Sequence, residues 1–231
     1  RLNAGAGWEN TTLSLSVPKR SVSEGFALLT DVLMRPSFRS VDVKRQRDLR
    51  QAALLRAKDS PGQVASRVFY RNVFPASHPY HLDLGGDSAS TAGIDSATVR
   101  NYWQRAADPR HATLVLSGDV TLAEARQWAS AAFGSWQPPA SPLTKPDAKS
   151  VAAAPSPTTH IILVDKPEAA QSVVWIGAPG MSRNSPDYAA VQVMNTILGG
   201  SFSARLNDIL REQRGYTYGA NSGFSFAPVP G

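Results

Sequence analysis

Four histidines, no cysteine and one long gap in the glutamates bound the chemistry open to this chain of 231 residues. Zinc-assisted hydrolysis needs imidazole and carboxylate ligands, an open position for water, and a further carboxylate as general base. The histidines are His78, His81, His111 and His160. Only His78 and His81 are close in sequence. Pro79 lies between them and no carboxylate is spaced to help, so the pair predicts no metal site. No glutamate occurs between Glu24 and Glu124. Without cysteine there are no disulfides or thiolate ligands, which fits the cytoplasm or an oxidising compartment alike. Two further side chains could act on charge: Arg211 and Tyr218, on either side of Gly215. Read alone, an arginine on the last turn of a helix complements the helix dipole, and a tyrosine in a strand is packing.

The elements that must carry these residues follow from period and punctuation. Residues 11–17 alternate and read as a strand. Ser21 and Glu24 have the spacing of a capping box opening a helix that Pro36 stops. Further helices are expected over 41–58 and from Pro61 towards Val73, with Pro61 at the first helical position. Residues 74–93 read as loop, and Asp95 as the cap of a short helix. Residues 111–116 read as a buried strand closed by the turn Ser117-Gly118-Asp119. Thr121 and Glu124 form a second capping-box pattern for a helix reaching Phe133. The Pro/Ala/Ser-rich stretch 137–158 reads as a linker. Beyond it come strands over 160–165 and 172–178, then a helix starting at Ser185-Pro186-Asp187 and ending at Gly199-Gly200. A helix over 203–213 and a strand over 216–226 complete the pattern.

Bulk composition narrows the function class. Hydrophobic residues make up 42% and charged residues 18%, as in an ordinary soluble globular protein, and no apolar run suits a membrane span. The net charge is +6. Its densest patch, Lys44, Arg45, Arg47, Arg50 and Arg56, is interrupted by Asp42 and Asp48 and lacks interleaved aromatics. It reads as a solvated helix face and predicts no nucleic-acid partner.

The segment 199–219, GGSFSARLNDILREQRGYTYG, closely resembles the hallmark of the pitrilysin/insulinase family of zinc metallopeptidases, in the branch of the processing peptidases and their bacterial relatives. The family pattern L-R-E-x-x-G-x-x-Y falls on Leu210, Arg211, Glu212, Gly215 and Tyr218. The turn Met34–Phe38, the run His78-Pro79-Tyr80, Ser117-Gly118-Asp119 and residues 133–136 follow in family order, so the resemblance covers nearly the whole chain. It implies an α+β fold of two similar domains, each a mostly antiparallel or mixed sheet with helices on one face. The expected division is 1–136 for the latter part of the first domain, 137–158 for the linker and 159–231 for the first part of the second, both domains being incomplete.

The resemblance also says what is missing. Active members carry H-x-x-E-H, absent here, and two glutamates on a later helix, the second binding zinc. The matching positions are Gln46 and Ala53, with Asp42, Asp48 and Asp59 as the nearby acids, so this chain is expected to bind no zinc. Arg211 and Tyr218 match the pair that the family sets across from the zinc to stabilise the oxyanion of the scissile carbonyl. The chain then resembles the subunit without zinc in a heterodimeric peptidase, inactive alone, acting with a homologous H-x-x-E-H partner that holds the zinc, on unfolded peptides. The alternatives are a catalytic subunit with an unusual third ligand and a purely structural homologue resembling respiratory-complex core subunits. A bacterial source is expected, with the periplasm favoured over the cytoplasm.

Overall fold

The computed structural model describes residues 1–144 and 158–226. It begins with an antiparallel hairpin, β1 (Leu2–Ala6) and β2 (Thr11–Leu15), paired from Leu2–Leu15 to Ala6–Thr11 and closed by a bond from the Gly7 N–H to the Asn10 carbonyl (2.8 Å). Only β2 was legible in the sequence, because β1 (LNAGA) has no β-branched or aromatic residue. Helix α1 (Val22–Met34) lies against the hairpin at Gly25, where a Cβ would sit 3.0 Å from Leu15 Cδ2.

The chain divides into two compact units, one of Arg1–Arg56 with Leu84–Lys145, the other of Ala57–Asp83 with Pro146–Gly231. In the first, Phe26 of α1 meets Trp128 and Phe133 of α6 (Leu122–Phe133) at ring distances of 6.2 and 6.1 Å. The proline turn after α1 is gripped by α5 (Ser96–Ala106). Trp103 Nε1 donates to the Leu33 carbonyl (2.9 Å), Arg100 to the Ser37 carbonyl (2.9 Å), and the Ser96 hydroxyl to the Phe38 carbonyl. Helix α2 (Ser40–Ala57) uses its polar residues on the loop carrying α4 (Ser88–Ala92). Arg47 donates to the Ile94 carbonyl, Arg50 to the Gly85 carbonyl, and Gln51 to Ser88 and Thr91. Part of the basic patch is therefore structural clamping rather than a solvated face.

In the second unit, α3 (Pro61–Val73) starts with its proline in the first turn and presents Phe69 and Tyr70 to Trp175 at 5.6 and 6.2 Å. Helix α7 (Tyr188–Leu198) starts later than expected. Ser185 and Pro186 form a preceding turn, closed from the Tyr188 N–H to the Ser185 carbonyl (3.1 Å).

The fold class is α+β, mostly helical, with a small sheet. Residues 111–116, 160–165, 172–178 and 216–226 were expected as strands, yet among the described residues only β1 and β2 pair. Alternating apolar residues supply propensity, but a strand persists only where a neighbour takes its backbone hydrogen bonds. Ile161, Leu163 and Ile176, at 90–92% exposure, have no such neighbour covering them. Most of the expected linker lies outside the described residues. Among the described residues no helix is long and apolar enough to cross a membrane.

Candidate functional site

Helix α7 ends where the Asn195 carbonyl accepts from both Gly199 (2.9 Å) and Gly200 (2.8 Å). The glycine pair is steric in origin: a Cβ on Gly199 would lie 2.5 Å from the Ser222 backbone nitrogen. A turn through Ser201 leads into α8 (Arg205–Asn207), which widens without a break into a π-helical turn over Asp208–Gln213. Its end is closed by three donors: the Arg214 N–H to Ile209, Gly215 to Arg211 and Tyr216 to Leu210, at 2.9–3.1 Å. Gly215 has φ +64°, the left-handed conformation that lets the chain reverse there at little cost.

This reversal brings Tyr218 back over the helix end that carries Arg211. The guanidinium carbon lies 5.1 Å from the Tyr218 ring centre and 4.6 Å from that of Phe202, both within cation–π range. Nε of Arg211 is 3.4 Å from Glu212, and the arginine side chain is 27% exposed. Tyr218 is 90% exposed, so its ring stands in solvent beside a partly sheltered positive charge. Such a pair can hold an anionic or strongly polarised oxygen. The expected returning strand is not formed, and the segment is held instead by Ser222, which donates to Asn195 Oδ1 (2.7 Å) and to the Gly199 carbonyl (3.0 Å). Phe202 lies inside the recognised motif, but nothing in its spacing signals this contact.

The positions that match the family's paired glutamates lie on α2. Gln46 is exposed on α2, Ala53 is half-buried, and neither offers a carboxylate. Asp42 is paired with Arg39 (2.7 Å) and Arg45 (3.3 Å), Asp48 with Lys44 (2.6 Å), and these hydrogen-bonded cations hold both carboxyls below the usual value. His78 is buried, 1% exposed, stacked on Phe74 at 4.5 Å, and its Nδ1 accepts from the Tyr80 N–H (3.1 Å). His81 Nδ1 is 2.9 Å from the Phe74 carbonyl. Both histidines are thus built into their own loop. Among the described residues no three His, Asp or Glu side chains converge.

The chain belongs to the Peptidase M16 inactive domain family, whose family model matches residues 93–228. An uncharacterized zinc protease of Streptomyces coelicolor is 28% identical over 187 residues, 79% of this chain and 39% of that protein. Another, of Bacillus subtilis, is 20% identical over 227 residues, 96% of this chain and 52% of that protein. The chain therefore spans about half or less of the length of these relatives. Among solved structures, a peptidase M16 inactive domain from Pseudomonas fluorescens matches with TM-score 0.77 and 26% identity over 100% of this chain and 55% of that one. A protease from Helicobacter pylori matches with TM-score 0.76 over the same shares at 15% identity, a likeness of fold alone.

Proposed function

We propose that this chain is the non-catalytic subunit of a two-chain zinc peptidase, lending Arg211 and Tyr218 to a zinc site on a homologous partner. The observation that carries this reading is the meeting of Arg211 with Tyr218 at 5.1 Å on the helix-end reversal, in a chain whose α2 has Gln46 and Ala53 at the zinc positions. The partner's zinc would supply the activated water. This chain's guanidinium and phenol face the oxygen of the scissile carbonyl. As that oxygen takes up negative charge, both donors bind it more strongly than the neutral carbonyl, which is where a rate gain arises. An unfolded peptide is the fitting substrate, because its backbone carbonyls are free of their own hydrogen bonds.

Co-expression with an H-x-x-E-H-bearing homologue and assay on unfolded peptides tests the reading. Neither chain alone is expected to cleave efficiently. Tyr218→Phe is expected to lower kcat on the order of 10²–10³ with little change in KM, as for loss of one oxyanion donor. An unchanged kcat in a correctly assembled pair would leave a purely structural subunit as the better reading. Metal analysis of the dialysed chain is expected to find no stoichiometric zinc, and one tightly held zinc per chain would contradict the assignment of Gln46 and Ala53.

A further inference from the structure

Asn207 stands four residues before Arg211, at the point where α8 passes into the π-helical turn. Its side chain is almost entirely buried, 4% exposed, and both ends of its amide are engaged. Nδ2 donates to the Phe202 carbonyl (2.7 Å), and Oδ1 accepts from the Ala220 N–H (3.2 Å). These two backbone partners belong to the two segments that bring rings to Arg211. Phe202 is itself one ring, 4.6 Å from the guanidinium, and Ala220 lies two residues beyond Tyr218, the other, at 5.1 Å. One buried amide therefore ties the incoming loop and the returning segment to the helix that carries the arginine.

Packing alone does not explain an amide here. Asparagine is a poor residue inside a helix, and burying its polar atoms is unfavourable unless every one of them finds a partner. An apolar side chain would favour the helix and leave the core dry, but the Phe202 carbonyl and the Ala220 N–H would lose their partner. The returning segment also has a second, separate anchor, since Ser222 is bonded to Asn195 and to the Gly199 carbonyl. Loss of the amide thus frees the stretch around Tyr218 without detaching the segment.

We infer that Asn207 is the positioning residue of the Arg211–Tyr218 pair, acting through the Phe202 loop and the Ala220 backbone to hold both rings at the guanidinium. Its catalytic consequence rests on the proposed role of that pair, whereas the positioning itself does not.

The experiment reads the Arg211 side-chain Nε–H resonance of the ¹⁵N-labelled 231-residue chain, which nearby aromatic ring currents displace. Asn207→Leu is expected to move this resonance towards that of an unstructured arginine. Phe202→Leu, at a residue 73% exposed, moves it in the same direction without disturbing buried packing. Asn207→Asp keeps the size and the acceptor for Ala220 but turns a negative oxygen on the Phe202 carbonyl, and is expected to give an intermediate displacement. It also serves if the leucine variant fails to fold. An Arg211 resonance unmoved in folded Asn207→Asp overturns the inference, whatever Tyr218→Phe does to activity. In the assembled peptidase, Asn207→Asp is expected to lower kcat on the order of tenfold with KM nearly unchanged, the split of a misplaced transition-state contact rather than of lost binding. A displaced resonance with kcat unchanged supports the positioning and overturns the proposed catalytic role of the pair.

Discussion

Two glycines in the recognised motif are there for different reasons, and the difference is measurable. Gly215 has φ +64°, and a Cβ there would meet nothing within 4 Å, so its requirement is one of backbone conformation. Gly215→Ala is expected to cost about 1–2 kcal/mol, the penalty of placing an L side chain in the left-handed region. Asparagine, which tolerates that region, is expected to cost less. At Gly199 a Cβ would meet the Ser222 backbone nitrogen at 2.5 Å, so Gly199→Ala must push the returning segment away. Thermal unfolding of each variant separates the cases. Gly215→Ala lowers the midpoint by a few degrees with the Arg211 surroundings intact, whereas Gly199→Ala also disturbs the resonances of Asn195 and Ser222.

At the scale of the element, the same sequence pattern has two outcomes. Thr121-x-x-Glu124 forms a complete capping box: the Thr121 hydroxyl accepts from the Glu124 N–H (3.2 Å), and Glu124 accepts from the Thr121 N–H (2.8 Å). Ser21-x-x-Glu24 has the same spacing but makes no side-chain cap. Thr121 is extended, at φ −87° and ψ 157°, as a cap requires. Ser21 belongs to a preceding 3₁₀ turn, Lys19–Ser21, and sits at φ −113° and ψ 18°, which turns its hydroxyl from the first helical N–H groups. Thr121→Ala is therefore expected to cost about 1 kcal/mol in urea unfolding, the usual loss for a cap. Ser21→Ala is expected to be near neutral, and equal losses at both sites would contradict the capping geometry. Helix starts were legible at Pro61, Asp95 and Thr121, but not at Asp87, whose capping box opens α4 inside a stretch expected as loop. Strands were not, since their hydrogen bonds depend on a neighbour far away in sequence.

For the whole molecule, two buried groups set separate acid limits. In the first unit Asp108, whose side chain is 4% exposed, bonds Arg110 at 2.6 Å and accepts from its backbone N–H, and the guanidinium lowers its pKa from 3.8 to about 2. Because the folded value lies below the unfolded one, the stabilisation is full above about pH 4 and is lost as pH falls towards 2. In the second unit burial lowers the pKa of His78 from 6.5, since a protonated ring would forfeit the bond from Tyr80 and leave a charge among Phe74 and Tyr80. Here too the folded value is depressed, so stability is full above about pH 6.5 and declines as pH drops below it. Urea midpoints followed from pH 8 to 2 are expected to show both declines. His78→Asn removes the upper one and Asp108→Asn the lower, and a profile unchanged by either substitution refutes the linkage.

What the sequence determined by itself is whatever rests on residue identity and short-range geometry. The family follows from the run around Arg211, the lack of glutamate on α2 from residues such as Gln46 and Ala53, and most helix starts from local caps and prolines. What only the tertiary structure decided is which groups meet. Arg211 shares its guanidinium with Phe202 as well as Tyr218, Asn207 links the segments that carry both rings, and the basic residues Arg47 and Arg50 spend their charge on loop carbonyls. The physical reason is that burial and hydrogen-bond pairing belong to positions in space. A buried amide or a shared cation is stable only when distant segments close around it, and residue spacing along one segment says nothing of that closure.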